Sequence, residues 1–337
     1  MAGSGVATAR GFECVYLNPA GLAGVTDSHL SAGLSYGHFD LRVDGNRLDK
    51  EGTSATTFGT VVPIRLGGSL EDRVTMALGI LVPHRAIARA RSAPVGEPYF
   101  ALLDARSEIV GIQVGGGFQL DDTWNLGAGI LALATLQGLI HVEVDGAGRF
   151  LTQSEQQLKT DFAPILGVRH AAPESDWQFG ATFRFPSTAG QDMLITNALG
   201  EELPLSLPEL QVLGTPQYDP ATLSIEAAYQ WSPSIVVSAQ LDAQRWSAFE
   251  LPAENPLANG MPLPGANFRD TLVPHLALEW QERYGPTQVH GRAGYAFRMT
   301  PAPEMDGVHT LLDNHRHVLA GGVGVAWPES DYPFSLD

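Results

Sequence analysis

Residues 267–327 read NFRDTLVPHLALEWQERYGPTQVHGRAGYAFRMTPAPEMDGVHTLLDNHRHVLAGGVGVAW and contain three strand-like runs. In the middle run Val289, Gly291, Ala293, Tyr295 and Phe297 share one face, while Gln288, His290, Arg292 and Arg298 share the other. A strand side chain changes sides at every residue, so this alternation describes a strand apolar on one side and polar on the other. A soluble sandwich turns the apolar side inward, whereas a membrane barrel turns it outward, against lipid. The rest of the chain decides between the two.

Working outward, the same period recurs in twelve runs after residue 27. The run at 29–43 carries Leu30, Ala32, Leu34 and Tyr36 on one side; 57–69 carries Phe58, Thr60, Val62, Ile64 and Leu66. The run at 73–83 sets out Val74, Met76, Leu78, Ile80 and Val82; those at 107–120 and 123–136 continue the pattern, and that at 158–170 is the least regular. Trp177, Phe179, Ala181, Phe183 and Phe185 oppose Gln178, Thr182 and Arg184; the following runs, from Leu223 and Ile235, alternate as clearly. Pro63 and Pro274 lie inside runs and predict bulges or kinks, because proline donates no ladder hydrogen bond.

The connections alternate too. GGSLEDR (67–73), LDDTW (120–124), AAPESDW (171–177), WSPS (231–234), ERYGPT (282–287) and WPESDYP (327–333) are short and carry turn residues. Between them lie long connections at 44–56, 84–106, 142–157, 187–220, 247–270 and 299–316. Trp124, Trp177, Trp231, Trp280 and Trp327 all stand beside short turns. Alternating short and long connections, with an aromatic girdle at the short-turn end, describe an up-and-down outer-membrane barrel. A sandwich with Greek-key crossovers has no reason for this regularity. The predicted fold is all-β, a transmembrane up-and-down antiparallel β-barrel over 28–337, with the small, Gly/Ala-rich residues 1–27 as a compact irregular N-terminal plug or lead-in.

Composition agrees. Of 337 residues, 44% are hydrophobic and only 17% charged, yet no apolar run reaches the ~18 residues of a membrane helix. A barrel hides its apolarity in every second residue. The net charge of −17 argues against nucleic acid, which needs clustered Lys and Arg. Cys14 is the single cysteine, so neither an internal disulfide nor a thiolate zinc cluster is expected. Met1 leads into AGSGVATARG without a charged or apolar leader, so a mature or trimmed form is expected. Tyr332, Phe334 and Leu336 alternate as a thirteenth strand would at its start.

No stretch assembles an active site, cofactor site or metal site. His309, His315 and His317 lack partners at ligand spacing. GGG at 115–117 and GGVG at 321–324 lie inside strands rather than before helices, which suits close approach of a plug or a strand bend. The inward charges Arg65, Arg184, Arg292, Arg298, Glu226, Asp242 and Glu279 should pair in a low-dielectric lumen. They form either a network that holds the plug or, with His290, a path on which an Arg meets a ligand carboxylate. The long connections carry Tyr99, Phe100, Leu102 and Leu103 in one and Leu194 and Ile195 in another. Such exposed apolar residues suit ligand capture and inter-loop packing equally.

With these residues placed, GSGVATARGFECVYLNPAGLAGV, with Asn18, Pro19 and Ala20 as its Asn-Pro-Ala motif, resembles the plug of the FadL/TodX family of outer-membrane transporters. WQFGATFRFPS (177–187), NFRDTLVPHLALEW (267–280), RAGYAFRMTPAP (292–303) and DNHRHVLAGGVGVAW (313–327) are similar to strands of that family. The resemblance runs nearly end to end. It implies a fourteen-stranded barrel, of which about twelve strands are present, in the outer membrane of a Gram-negative bacterium. It further implies a monomer that passes hydrophobic or amphipathic molecules, such as long-chain fatty acids or aromatic hydrocarbons, with the plug as gate and no reaction or cofactor. A porin-like or structural barrel, or an outer-membrane lipid hydrolase using His290, are the alternatives.

Overall fold

The computed structural model describes residues 1–48, 52–84, 110–144, 150–198, 210–249, 267–304, 312–328 and 334–337. A short helix α1 (Cys14–Leu17) and a 3-10 turn (Pro19–Leu22) precede the strands. Those are β1 (His29–Gly37), β2 (Leu41–Val43), β3 (Asn46–Leu48), β4 (Thr53–Ile64), β5 (Val74–Pro83) and β6 (Gly111–Gln119). Then come β7 (Trp124–Val144), β8 (Phe150–Ala171), β9 (Trp177–Arg184), β10 (Ser187–Ala198), β11 (Leu210–Asp219) and β12 (Ala221–Ser232). The last are β13 (Ile235–Arg245), β14 (Thr271–Tyr284), β15 (Thr287–Arg298), β16 (Arg316–Trp327) and β17 (Phe334–Leu336). Among the described residues no helix is long and apolar enough to cross a membrane.

One sheet runs β1-β4-β5-β6-β7-β8-β9-β12-β13-β14-β15-β16-β17. Every neighbour on that path is antiparallel, and the twelve predicted runs are its long strands in chain order. The meander is therefore as predicted. Strands β2–β3 form a separate small hairpin within the connection after β1.

The apolar face is the outer one. In β14, Thr271, Val273, His275 and Ala277 are buried, while Leu272, Leu276 and Leu278 are exposed. Leu34 and Leu319 are each 83% exposed and Phe162 is 68% exposed, values a soluble core would not give to regularly spaced large apolar residues. At the short-turn end Trp177 stacks on Phe179 at 5.9 Å and packs against Tyr229 at 4.8 Å. Trp327 stacks on Phe334 at 4.5 Å. These rings and Trp124 form the girdle that the sequence places at a membrane interface.

The inner face wraps residues 1–25. Phe12 lies over Gly59 of β4 and Gly79 of β5; Val15, Pro19 and Leu22 reach β6 and β7. Asn18 reaches β8, Val6 reaches β9, and Met1 reaches Gly294 of β15. Side chains of β12, β13 and β14 bond the segment between Ala2 and Ala7. One short segment thus meets ten consecutive strands, β4 to β15 along the path, which requires the sheet to curl around it.

Two expectations change. The long connections at 142–157 and 187–220 are not irregular: β7 and β8 pair all the way from Trp124–His170 to Val144–Phe150, and β10–β11 form a hairpin. Strand β10 also adds to β7 in parallel, from Gln191–Leu136 to Ala198–Glu143. Polar residues that alternate with few apolar ones hide a strand from a reading that looks for lipid-facing periodicity. Nor do Pro63 and Pro274 bulge the ladder, which runs through Pro63–Thr75 and Leu241–Pro274 without a register shift. Each proline lies beyond the last pair on its other side, Val61–His29 and His275–Ala296, so a missing N–H removes no bond there.

Ile130 faces outward on β7, six residues from Trp124, which puts it roughly 14 Å from the girdle at ~3.3 Å per residue and ~45° tilt. That is near the middle of an apolar band about 25 Å tall. Ile130→Arg is expected to cost about 2–4 kcal/mol in urea unfolding from lipid vesicles. A change within about 0.5 kcal/mol, usual for a water-exposed position, would contradict a lipid-facing wall.

Candidate functional site

The plug is positioned by its own caps and by the glycines opposite. Asn18 ends α1 and opens the 3-10 turn, with Pro19 at the first turn position. Its Oδ1 accepts from the Ala20 N–H at 3.1 Å, and its Nδ2 donates to the Val6 carbonyl at 2.7 Å and the Val168 carbonyl at 3.0 Å. Asn18 therefore ties the turn to the first plug residues and to the wall. Pro19 and Ala20 are fully buried with it.

A Cβ on Gly117 would stand 2.5 Å from the Ala23 nitrogen and 2.8 Å from the Pro19 oxygen. On Gly127 it would overlap the Pro19–Ala20 backbone, on Gly167 the Asn18 side chain, and on Gly180 the Val6–Ala7 backbone. These glycines let two backbones touch. The reading of the 115–117 run as a plug contact holds for Gly115, against Val15, and Gly117, against the turn.

Polar side chains hold residues 2–7. Gln240 Oε1 accepts from the Gly5 and Val6 N–H groups at 3.1 and 3.3 Å, and Glu226 accepts from the Ala7 N–H. Arg169 Nε donates to the Ala7 carbonyl at 2.9 Å. His275 Nδ1 lies 3.1 Å from the Ala2 carbonyl, and its Nε2 lies 3.1 Å from Asp242 Oδ2. Gln240 Nε2 donates to the other Asp242 oxygen at 2.8 Å. Both His275 nitrogens are engaged, so that ring offers no free base.

On the long-connection side of this clamp lies a cavity of about 220 Å³. Tyr16, Leu17, Leu131, Ala163, Ile165 and Val273 give it an apolar side; Arg184, Thr222, Asp242, Gln244, His275 and Arg298 give it a polar one. Arg184 lies over the Tyr16 ring at 4.9 Å and donates to Ser224 Oγ at 3.3 Å, which fixes the guanidinium at the seam between the two sides.

The predicted path residues thus divide. Arg184 and Arg298 come together at the cavity. His290 and Arg292 sit near the other end of β15: His290 Nε2 is 3.2 Å from Asp337, and Arg292 bridges Glu279 at 3.3 Å and Asp337 at 3.2 Å. Arg65 follows the end of β4 and is exposed. Leu194, half-buried, and Ile195 lie on β10; Tyr99, Phe100, Leu102 and Leu103 lie outside the described residues. The apolar half of the cavity is what alternation passes over. Leu131, Ile165 and Val273 occupy inward positions, and the unbroken run ILAL at 130–133 is the trace Leu131 leaves in sequence.

The sequence matches no protein-family model. It shows no significant similarity to a curated protein. Among solved structures, a Pseudomonas aeruginosa FadL homologue aligns with a TM-score of 0.59 at 14% identity, over 98% of this chain and 85% of that one. The TodX deltaS2S3 mutant monoaromatic hydrocarbon channel aligns at 0.54 and 13% identity, over 92% and 84%. The CymD monoaromatic hydrocarbon channel aligns at 0.50 and 16% identity, over 98% and 88%. The chain has the FadL-type barrel fold.

Cys14 is fully buried in the plug, and burial pushes its thiol well above the ordinary range, so it stays neutral and protected while the plug is seated. It should resist maleimide in the folded protein. Gly127→Ala, which intrudes on the Pro19–Ala20 backbone, is expected to speed Cys14 labelling at least about tenfold, equivalent to ~1.4 kcal/mol in plug opening. Asn18→Ala strands two carbonyls and an N–H and should do the same; unchanged labelling in both variants would refute the wedge.

Proposed function

We propose that this protein is a passive channel of the FadL/TodX type for hydrophobic or amphipathic small molecules in the outer membrane of a Gram-negative bacterium. The observation that carries the reading is the half-apolar, half-charged cavity enclosed between plug and wall. At about 220 Å³ it is smaller than the ~300–1,000 Å³ of drug-sized sites, so it suits a small ring or one end of a longer chain. The apolar side receives hydrocarbon. Arg184, and Arg298 beside it, suit a carboxylate where the ligand has one. Asn18, Pro19 and Ala20 keep the plug seated, and the ligand moves on when that seat opens. The long connections that include Tyr99, Phe100, Leu102, Leu103, Leu194 and Ile195 serve as the collecting surface.

Hydrocarbon gains free energy by leaving water, so no energy source is needed to draw it to such a site. The solved structures of like fold, described as a FadL homologue and as monoaromatic hydrocarbon channels, support this ligand class. A porin-like reading needs a wide aqueous lumen, against which stands a plug that touches ten strands. A hydrolase needs a serine within hydrogen-bond reach of its histidine, whereas the described partners of His275 and His290 are Ala2, Asp242 and Asp337.

Ligand binding to the purified protein tests the proposal, with a fluorescent long-chain fatty acid and a neutral alkylbenzene as probes. Ile165→Trp, which fills the apolar side, is expected to abolish binding of both. Arg184→Ala should weaken the fatty acid roughly ten- to a hundredfold, the ~1.5–3 kcal/mol of a charge-assisted hydrogen bond, and leave the alkylbenzene unchanged. In a planar bilayer the wild type should pass almost no ions. Open-porin conductance with binding indifferent to Ile165→Trp would favour the porin-like alternative.

A further inference from the structure

The outer side of the wall carries a second, larger concavity of about 830 Å³, across β7, β8, β9, β12, β13 and β14. Its floor is set by small outward residues: Ala181 on β9, Ala227 on β12 and Ala239 on β13, the last two opposite each other in the ladder. Its rims are large, with Ile225 51% and Leu276 58% exposed. The same lining takes in Glu226, Gln240 and His275, whose side chains hold the plug on the inner face. The wall here is one backbone thick.

A dent of this size facing hydrocarbon has to be filled. Water gains little from a mostly apolar lining, and an empty void would forfeit the dispersion contacts of every atom around it. A second copy of the chain would present its own convex wall, which spans the rims without reaching the alanines. The dent is long rather than round: from Trp124 of β7 to Pro274 of β14 it crosses five inter-strand steps, about 24 Å at ~4.8 Å each. One end lies at the girdle, where the Trp124 and His170 rings meet edge to face at 4.6 Å beside the short turns. There His170 offers a ring nitrogen at the level of lipid head groups.

We propose that this groove is a binding site for one membrane phospholipid, drawn from the leaflet at the short-turn end, with an acyl chain along the alanine floor and the head-group phosphate beside His170. The proposal rests on the membrane placement of the wall, which Ile130→Arg, outside the groove, tests separately.

Native mass spectrometry of the protein, extracted from membranes in mild detergent, decides it. The wild type is expected to retain one phospholipid per chain. The outward-facing double variant Ala227→Leu/Ala239→Leu, which fills the floor, should lose it. Ala293→Leu, equally outward on β15 but away from the groove, should keep it. Heat-modifiable migration in gels confirms that both variants fold. A wild type without phospholipid, or equal retention in the two variants, would overturn the site. So would a free fatty acid as the adduct lost on filling, or a dimer that dissociates instead.

Discussion

Backbone-to-backbone contact between plug and wall is the constraint on which this structure depends. At Gly117, Gly127, Gly167 and Gly180 the plug approaches so closely that one methyl group would overlap main-chain atoms or the Asn18 amide. Such contact demands that main-chain groups at the seam be matched, because water has no room to enter. The matching is visible: Asn18 makes three hydrogen bonds, and Gln240, Glu226, Arg169 and His275 each take up a main-chain group of residues 2–7. The steric wedge therefore acts along the whole segment, and the polar clamp reinforces it over residues 2–7.

That arrangement has consequences for function. The stretch from Phe12 to Ala23 sits on glycines of β4–β8 and resists displacement by packing. The clamped stretch depends also on bonds that another polar ligand can replace. The cavity opens against this clamped stretch, with Gly3, Asp242 and His275 among its lining. Under the proposed function, a ligand end entering there would compete for the groups that hold Ala2 to Ala7 and so link occupancy to plug position without a distant relay.

Much of the wall was legible because membrane and lumen impose opposite demands on alternate residues. The periods at 177–185, 223–231 and 271–280, the short turns and the tryptophans beside them each point to the same barrel, and the ladder follows them in register. The outer extensions of β7, β8, β10 and β11 were not legible, since beyond the membrane neither face is required to be apolar. The site was half legible. Arg184 and Arg298 announced themselves as charges on inward faces, but so did His290 and Arg292, which ion pairs with Asp337 and Glu279 occupy instead.

By itself the sequence determined the strand order and the outward direction of the apolar face, because each is fixed by local period and turn chemistry. Asn18, Pro19 and Ala20 were singled out only by the resemblance of this stretch to a known plug. Only the tertiary structure decided which inward charges share a cavity, that Leu131, Ile165 and Val273 line it, and that the wall is dented behind the clamp. Those outcomes depend on how far the sheet curls around residues 1–25. That curvature is set by contacts between residues far apart in sequence, such as Met1 and Gly294, which no local pattern records.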